Sequence, residues 1–290
     1  MSAELARPDA RRPSRIRRPT RGLLIQEVVL VGAVLIVLLP SLFVVFTALK
    51  TQSDYAIDKI GLPSSIYLGN IETAMRGGRF GLWLVNSTLL TGGSVLLSLA
   101  VATPAALAFS RMRFRGQTVL LSMVTALMVV PPVVLILPLF LSLTQIGLTS
   151  TYPGAILVYA GLLTPFSVYL LTNFFRTIPN ALIEAAGIDG AATHTVLIRI
   201  VLPLTAPAIA TLVVVNALWV WNDLLVALVL LPKDELRTLM VGVTVFGSRY
   251  NNDVPVAMTG MLLASVPMLL LYLVGQRFFI RGLAAGGLKG

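Results

Sequence analysis

Six apolar runs, at about 26–49, 83–110, 118–143, 152–175, 205–231 and 255–279, constrain this chain more than any other feature. Each is long enough to cross a hydrocarbon core, which takes roughly 20 residues of helix. Lipid offers no water to an open backbone, so a spanning run has to be helical. Only 12% of residues are charged, against about 25% in soluble domains. The expectation is an all-α integral membrane protein with six transmembrane helices.

The net charge of +10 resembles a nucleic-acid signal until it is mapped. Arg7, Arg11, Arg12, Arg15, Arg17, Arg18 and Arg21 precede the first span, Arg111, Arg113 and Arg115 separate spans two and three, and Arg277, Arg281 and Lys289 follow the last. Placing these on one side gives the positive-inside pattern, with both termini cytoplasmic. The charge is therefore topological, it can touch anionic lipid, and no nucleic-acid partner is expected. Residues 1–22 read as a disordered basic tail, 23–281 as the six-helix transmembrane domain and 282–290 as a Gly-rich cytoplasmic tail. Arg11-Arg12 does not open an export signal, because the run that follows is too long for one and lacks a small-residue cleavage site.

One large polar feature remains on the cytoplasmic side, residues 176–204. Pro179 suits the first turn of a helix, which Ala181 to Ala186 propagate. Asp189-Gly190 is a stop signal, since glycine accepts the positive φ that ends a helix. A second short helix is expected from Ala191 to Ile200, broken by Pro203, with Thr205 and Pro207 opening span five. The product is a helical elbow outside the bilayer. Small Ala185 and Ala186 allow close approach by a partner, and Glu184 offers one fixed negative charge. A membrane-surface helix would instead need a basic face with bulky anchors, and Arg199 is the only base between Pro179 and Pro203.

Catalysis finds little support. No G-x-x-x-x-G-K-[ST] phosphate loop occurs, there is no cysteine, and the single histidine, His194, lies in the elbow. No cofactor and no metal site are expected. Asp223 stands out, because an acid at membrane depth costs about 2.5–3.5 kcal/mol on insertion scales. With Trp219, Trp221 and Asn222 it forms an aromatic and polar group toward the outer end of span five, suited to a solute with apolar faces and hydrogen-bonding edges. The other reading is interfacial tryptophan with a structural acid. Pro131, Pro132 and Pro138 must interrupt or kink span three. Asn86 reads as a cap opening span two, and Glu27 as interfacial.

The spacing Glu184-Ala185-Ala186-x3-Gly190-x9-Ile200-x-Leu202-Pro203 resembles the EAA loop of the inner-membrane permease subunits of ABC importers. Asn173-Phe174-Phe175-x-x-Ile178-Pro179, Trp219-x-Trp221-Asn222-Asp223, the turn Arg111-Met112-Arg113-Phe114-Arg115-Gly116 and the ending from Gln276 to Gly290 resemble the carbohydrate-uptake branch, and the maltose-type second permease in particular. The resemblance implies a bacterial inner-membrane subunit without catalytic activity, forming half of a sugar pathway. It implies a second homologous permease, two cytoplasmic ATPase subunits, with the coupling helix seated in a groove on an ATPase subunit, and an extracytoplasmic sugar-binding protein probed by the outer loop 232–254. Glu184, Ala185, Ala186, Gly187, Asp189 and Gly190 would form the ATPase-coupling site, with Glu184 pairing to a basic residue and Gly190 making the turn. Gly187 departs from the family, where a larger residue is common. An interior glycine costs about 1 kcal/mol against alanine, so the coupling helix is expected to be short or pliable. Trp219, Asn222 and Asp223 remain the candidate substrate path.

Two alternatives stay open. An importer of a glycerol-phosphate-type polyol would share every motif above. An ion-coupled secondary transporter could use Asp223 or Glu27 as a relay, and broken span three suits it, but the sequence shows no second broken segment and such a transporter needs no elbow.

Overall fold

The computed structural model describes residues 21–76, 79–249 and 253–287. The expected tail at 1–20, the outer-loop tip at 250–252 and the chain end at 288–290 lie outside these residues. The chain divides into two units, Met1–Val44 and Val45–Gly290. From Arg21 onward the first unit is α1 (Arg21–Ala48), which runs on into the second unit and contains Pro40.

The second unit continues with α2 (Gln52–Ile57), α3 (Gly69–Arg76) and the long α4 (Phe80–Arg111). Next come α5 (Gln117–Ala126), α6 (Pro132–Gln145), α7 (Tyr152–Arg176) and α8 (Asn180–Ile188). A helical run from Thr193 to Leu204 comprises α9 (Thr193–Val196), a π-helical segment at Leu197–Val201 and α10 (Leu202–Leu204). The chain then forms α11 (Ala206–Asn222), α12 (Leu225–Leu230), α13 (Leu239–Arg249) and α14 (Val254–Gly287).

Four helices, Gln26–Ala48, Phe80–Arg111, Tyr152–Arg176 and Val254–Gln276, are long and apolar enough to cross a membrane by themselves. Two bent pairs bring the number to as many as six when each pair is taken as one span, Gln117–Val129 with Pro132–Gln145 at 103° and Thr193–Leu204 with Ala206–Asn222 at 81°. The first bend is the proline interruption expected in span three. Pro131 is extended, with φ −63° and ψ 131°, and Pro132 opens α6, because a residue before proline is pushed out of the helical region. Pro138 sits inside α6 without ending it.

Span five differs from expectation. It was read as one run from 205 to 231, but α11 has 17 residues, about 25 Å at 1.5 Å per residue. The chain leaves the helix at Asp223, with φ −73° and ψ 129°, and starts α12 two residues later. A second broken span therefore exists, where the sequence alone shows none. Pro203 does not break the second elbow helix either. The helical run passes through it, and the bend falls at Thr205, where φ is −104° and ψ is 12°.

Helices α4 and α7 pack closely because one face of α4 is small and hydroxylic: Thr91, Ser94, Ser98, Ala102 and Ala106 are all buried. Small residues let helix backbones approach in a membrane, where apolar surface gives no drive to pair. A hydrogen-bonded seam ties in α11. Asn216 Nδ2 donates to Ser167 Oγ at 3.0 Å, Ser167 Oγ donates to the Leu163 carbonyl at 2.8 Å, and Ser98 Oγ lies 3.2 Å from Ser167 Oγ. Ser167 has one proton and gives it to Leu163, so Ser98 is the donor in their pair.

Asn86 is not the cap of span two. The helix begins at Phe80, and Asn86 lies buried in its second turn. Its Nδ2 donates to the carbonyls of Glu235 and Arg237 at 2.8 and 2.9 Å, while Ser87 Oγ accepts from the Leu239 N–H at 2.7 Å. These bonds fasten the segment leading into α13 onto α4. Replacing Asn86 with leucine leaves two carbonyls without their donor, at about 1–3 kcal/mol for each one that stays dry. Thermal unfolding of the purified chain should show this loss, and faster backbone hydrogen exchange over 235–243 should accompany it.

Candidate functional site

The elbow is built from Pro179 onward. Pro179, with φ −58° and ψ 132°, is the residue before α8 rather than part of its first turn. The helix ends in a Schellman arrangement. Gly190 takes φ +74°, its N–H donates to the Gly187 carbonyl at 3.1 Å, and the Ala191 N–H donates to the Ala186 carbonyl at 2.9 Å. The Asp189-Gly190 stop signal is thus realised in the backbone. Gly187 does not shorten α8, which continues through it to Ile188. Tertiary packing outweighs the propensity cost, because Ala186 is buried with Ile178, Val196, Phe175 and Leu171.

This burial sorts the site residues by face. Ala186 points inward, while Glu184, Ala185, Gly187, Asp189 and Gly190 are exposed. Ala181, Glu184, Ala185 and Ile188 share one helix face, being three and four residues apart. Ile188 is 88% exposed, and the motif-based reading missed it. An isoleucine between the interior Gly187 and the Asp189-Gly190 stop gave no sign of standing on the same ridge as Glu184. His194 is exposed, with Nε2 3.3 Å from Thr195 Oγ1.

The second group does not stay together. Trp221 is buried with Trp83, Leu239, Val243 and Val256. Asn222 is exposed, and its Nδ2 donates to the Leu218 carbonyl at 2.8 Å. Trp219 stacks edge-on against Tyr159 with ring centroids 6.1 Å apart. Asp223 meets the same tyrosine, because Tyr159 Oη donates to its Oδ2 at 2.7 Å. The N–H groups of Val226 and Ala227 donate to that oxygen at 3.0 and 3.1 Å. Asp223 is therefore the acceptor for the first turn of α12, in the manner of an N-terminal cap. This is why the helix breaks there.

A cavity of about 600 Å³ opens at the break in span three, lined by Trp219, Asn216, Phe166, Pro132 and Ser142 among others. Of the three path candidates only Trp219 reaches it. Asn216 and Tyr159 were missed. The signal available was an amide and a tyrosine set among apolar neighbours in the middle of their runs.

Residues 94–281 match the family described as the binding-protein-dependent transport system inner membrane component. The chain is 38% identical over 252 residues to a putative ABC transporter permease protein of Caldicellulosiruptor, covering 87% of this chain and 91% of that one. It is 31% identical over 255 residues to the trehalose transport system permease protein SugB of Mycobacterium tuberculosis, covering 87% and 93%. In fold it is similar to a chain of a bacterial ABC transporter involved in alginate import, with a TM-score of 0.78 at 24% identity over 90% of this chain and 99% of that one. The bent spans and the elbow thus sit in a known membrane architecture, and this chain belongs to the family of binding-protein-dependent transport system inner membrane components.

Proposed function

We propose that the chain is the non-catalytic permease subunit of an ATP-driven sugar importer, contributing half of the pathway and taking mechanical input through α8. The observation that carries this reading is the outward face of α8, where Glu184, Ala185 and Ile188 stand exposed on a helix held from behind by Ala186. Glu184, Ala185, Gly187, Asp189 and Gly190 form the surface on which a cytoplasmic ATPase docks, with Ile188 as its apolar anchor. Ala186 positions that surface. Two ATPase subunits, a second homologous permease and an extracytoplasmic sugar-binding protein complete the assembly. The arginines at 7–21 and 111–115 put both termini and the elbow on the cytoplasmic side. Membrane lipid covers the apolar surface, including Val133, Val134, Leu137 and Leu141, all more than half exposed. Relatives named for trehalose and for melibiose, raffinose and stachyose support a sugar cargo. Along the path Trp219 offers an aromatic face, whereas Asp223 and Asn222 serve the break rather than the cargo.

Extraction of the tagged chain from its native membrane in mild detergent, followed by mass spectrometry, tests the assembly. An ATPase and a second permease are expected in stoichiometric yield. A chain that arrives alone, and moves its substrate on an ion gradient without ATP, would sink the importer reading.

A further inference from the structure

One arginine does more than set topology. Arg111 is the last residue of α4, yet it does not cap its own helix. Gln117 Nε2 takes the Phe109 carbonyl at 2.8 Å, and the Met112 N–H takes the Ala108 carbonyl. The Arg111 guanidinium instead reaches across to the junction between α7 and α8. Its Nη2 donates to the carbonyls of Phe175 and Ile178, and its Nη1 donates to Asn180 Oδ1.

The need for this donor follows from Pro179. In a continuous helix the Phe175 carbonyl would accept from residue 179, and proline has no N–H to give. The Ile178 carbonyl would accept from residue 182, but the Leu182 N–H bonds to Pro179 instead. Pro179 therefore separates the two helices; the Phe175 carbonyl turns to the Ile178 N–H at 3.2 Å, and it and the Ile178 carbonyl each have a lone pair free for a further donor. A planar guanidinium, with its donors in a fixed fork, is the side chain that can hold several such acceptors in one geometry.

We propose that Arg111 is the positioning residue that fixes the angle between α7 and α8, so that a displacement of α8 moves α4 and α7 together. The idea rests on α8 being the docking helix. It goes beyond that reading by naming the group that passes force from the helix to the membrane spans. Without it α8 stays docked but hinges at Pro179, and ATP-driven motion no longer reaches the pathway.

The experiment uses the complete transporter reconstituted in proteoliposomes, with cargo transported per ATP hydrolysed as the readout. Arg111→Gln keeps Arg113 and Arg115 as topological charges. It is expected to retain its ATPase at wild-type stoichiometry while transport per ATP falls at least tenfold. Arg111→Lys keeps the charge and stem but loses the fork, and an intermediate ratio is expected. A residue that only stabilised the fold would lower hydrolysis and transport in parallel, so an unchanged ratio overturns the proposal. Should Arg111→Gln fail to assemble, Arg111→Lys carries the same decision, and a wild-type ratio there overturns the proposal too. Failure of the docking reading looks different, because Glu184→Arg would then leave the ATPase bound.

Discussion

Glu184→Arg combined with Ile188→Asp is expected to strip the ATPase from the purified complex while leaving the permease chain folded. Both side chains are exposed on one ridge of α8, and neither takes part in the packing behind Ala186. Burying an isoleucine side chain contributes about 1.5–3 kcal/mol, and replacing it with a carboxylate adds a desolvation cost to the loss. Reversing the charge at 184 turns attraction to a basic groove into repulsion. Each change should weaken docking by roughly ten- to a hundredfold, at about 1.4 kcal/mol per tenfold. Binding of purified ATPase to the permease pair in nanodiscs gives the number, and the unfolding temperature of the chain alone should stay within a degree or two. Full-affinity docking of the double variant would remove α8 from the coupling role.

Asp223→Ala carries the second large effect, on stability. One carboxylate oxygen accepts from Tyr159 Oη and from the N–H groups of Val226 and Ala227. Tyr159, Val226 and Ala227 are all buried. Alanine leaves three donors without an acceptor, at about 1–3 kcal/mol each, so a loss of at least about 3 kcal/mol is expected. Asp223→Asn keeps one acceptor oxygen and should lose much less. Tyr159→Phe removes a single donor together with its need, and should cost about 1 kcal/mol. Thermal unfolding in detergent should rank the variants in that order. If Asp223→Asn unfolded like the wild type but no longer supported transport, a role in the pathway would displace the structural one.

The parts legible in the sequence are those written in local chemistry. Apolar runs located the spans, within a few residues for all but span five, because lipid leaves no other backbone solution. Asp189-Gly190 fixed the end of α8, because only glycine takes that φ without strain. Pro131-Pro132 fixed the break in span three. What stayed illegible depends on partners distant in sequence. Asn86 read as a cap because its acceptors lie about 150 positions away. Trp219, Trp221 and Asn222 read as one cluster because they are adjacent in sequence, yet helical geometry sends each to a different neighbour. Asp223 read either as a path residue or as an acid that caps or stabilises the bundle, and nothing nearby announced that the chain would leave the helix there and put the Val226 and Ala227 N–H groups on its carboxylate.

The seam through Ser98, Ser167 and Asn216 has a consequence for how the chain comes together during synthesis. Helices α4 and α7 enter the membrane first and can already join through Ser98 and Ser167. The Asn216 amide arrives only with α11, so until then Ser167 waits with an acceptor site open. Each such interhelical bond is worth only about 0.6 kcal/mol on average, too little to drive pairing but enough to select among helices already in contact. Assembly is thus ordered from the N-terminal side, with α11 choosing its place on a pair that has already formed.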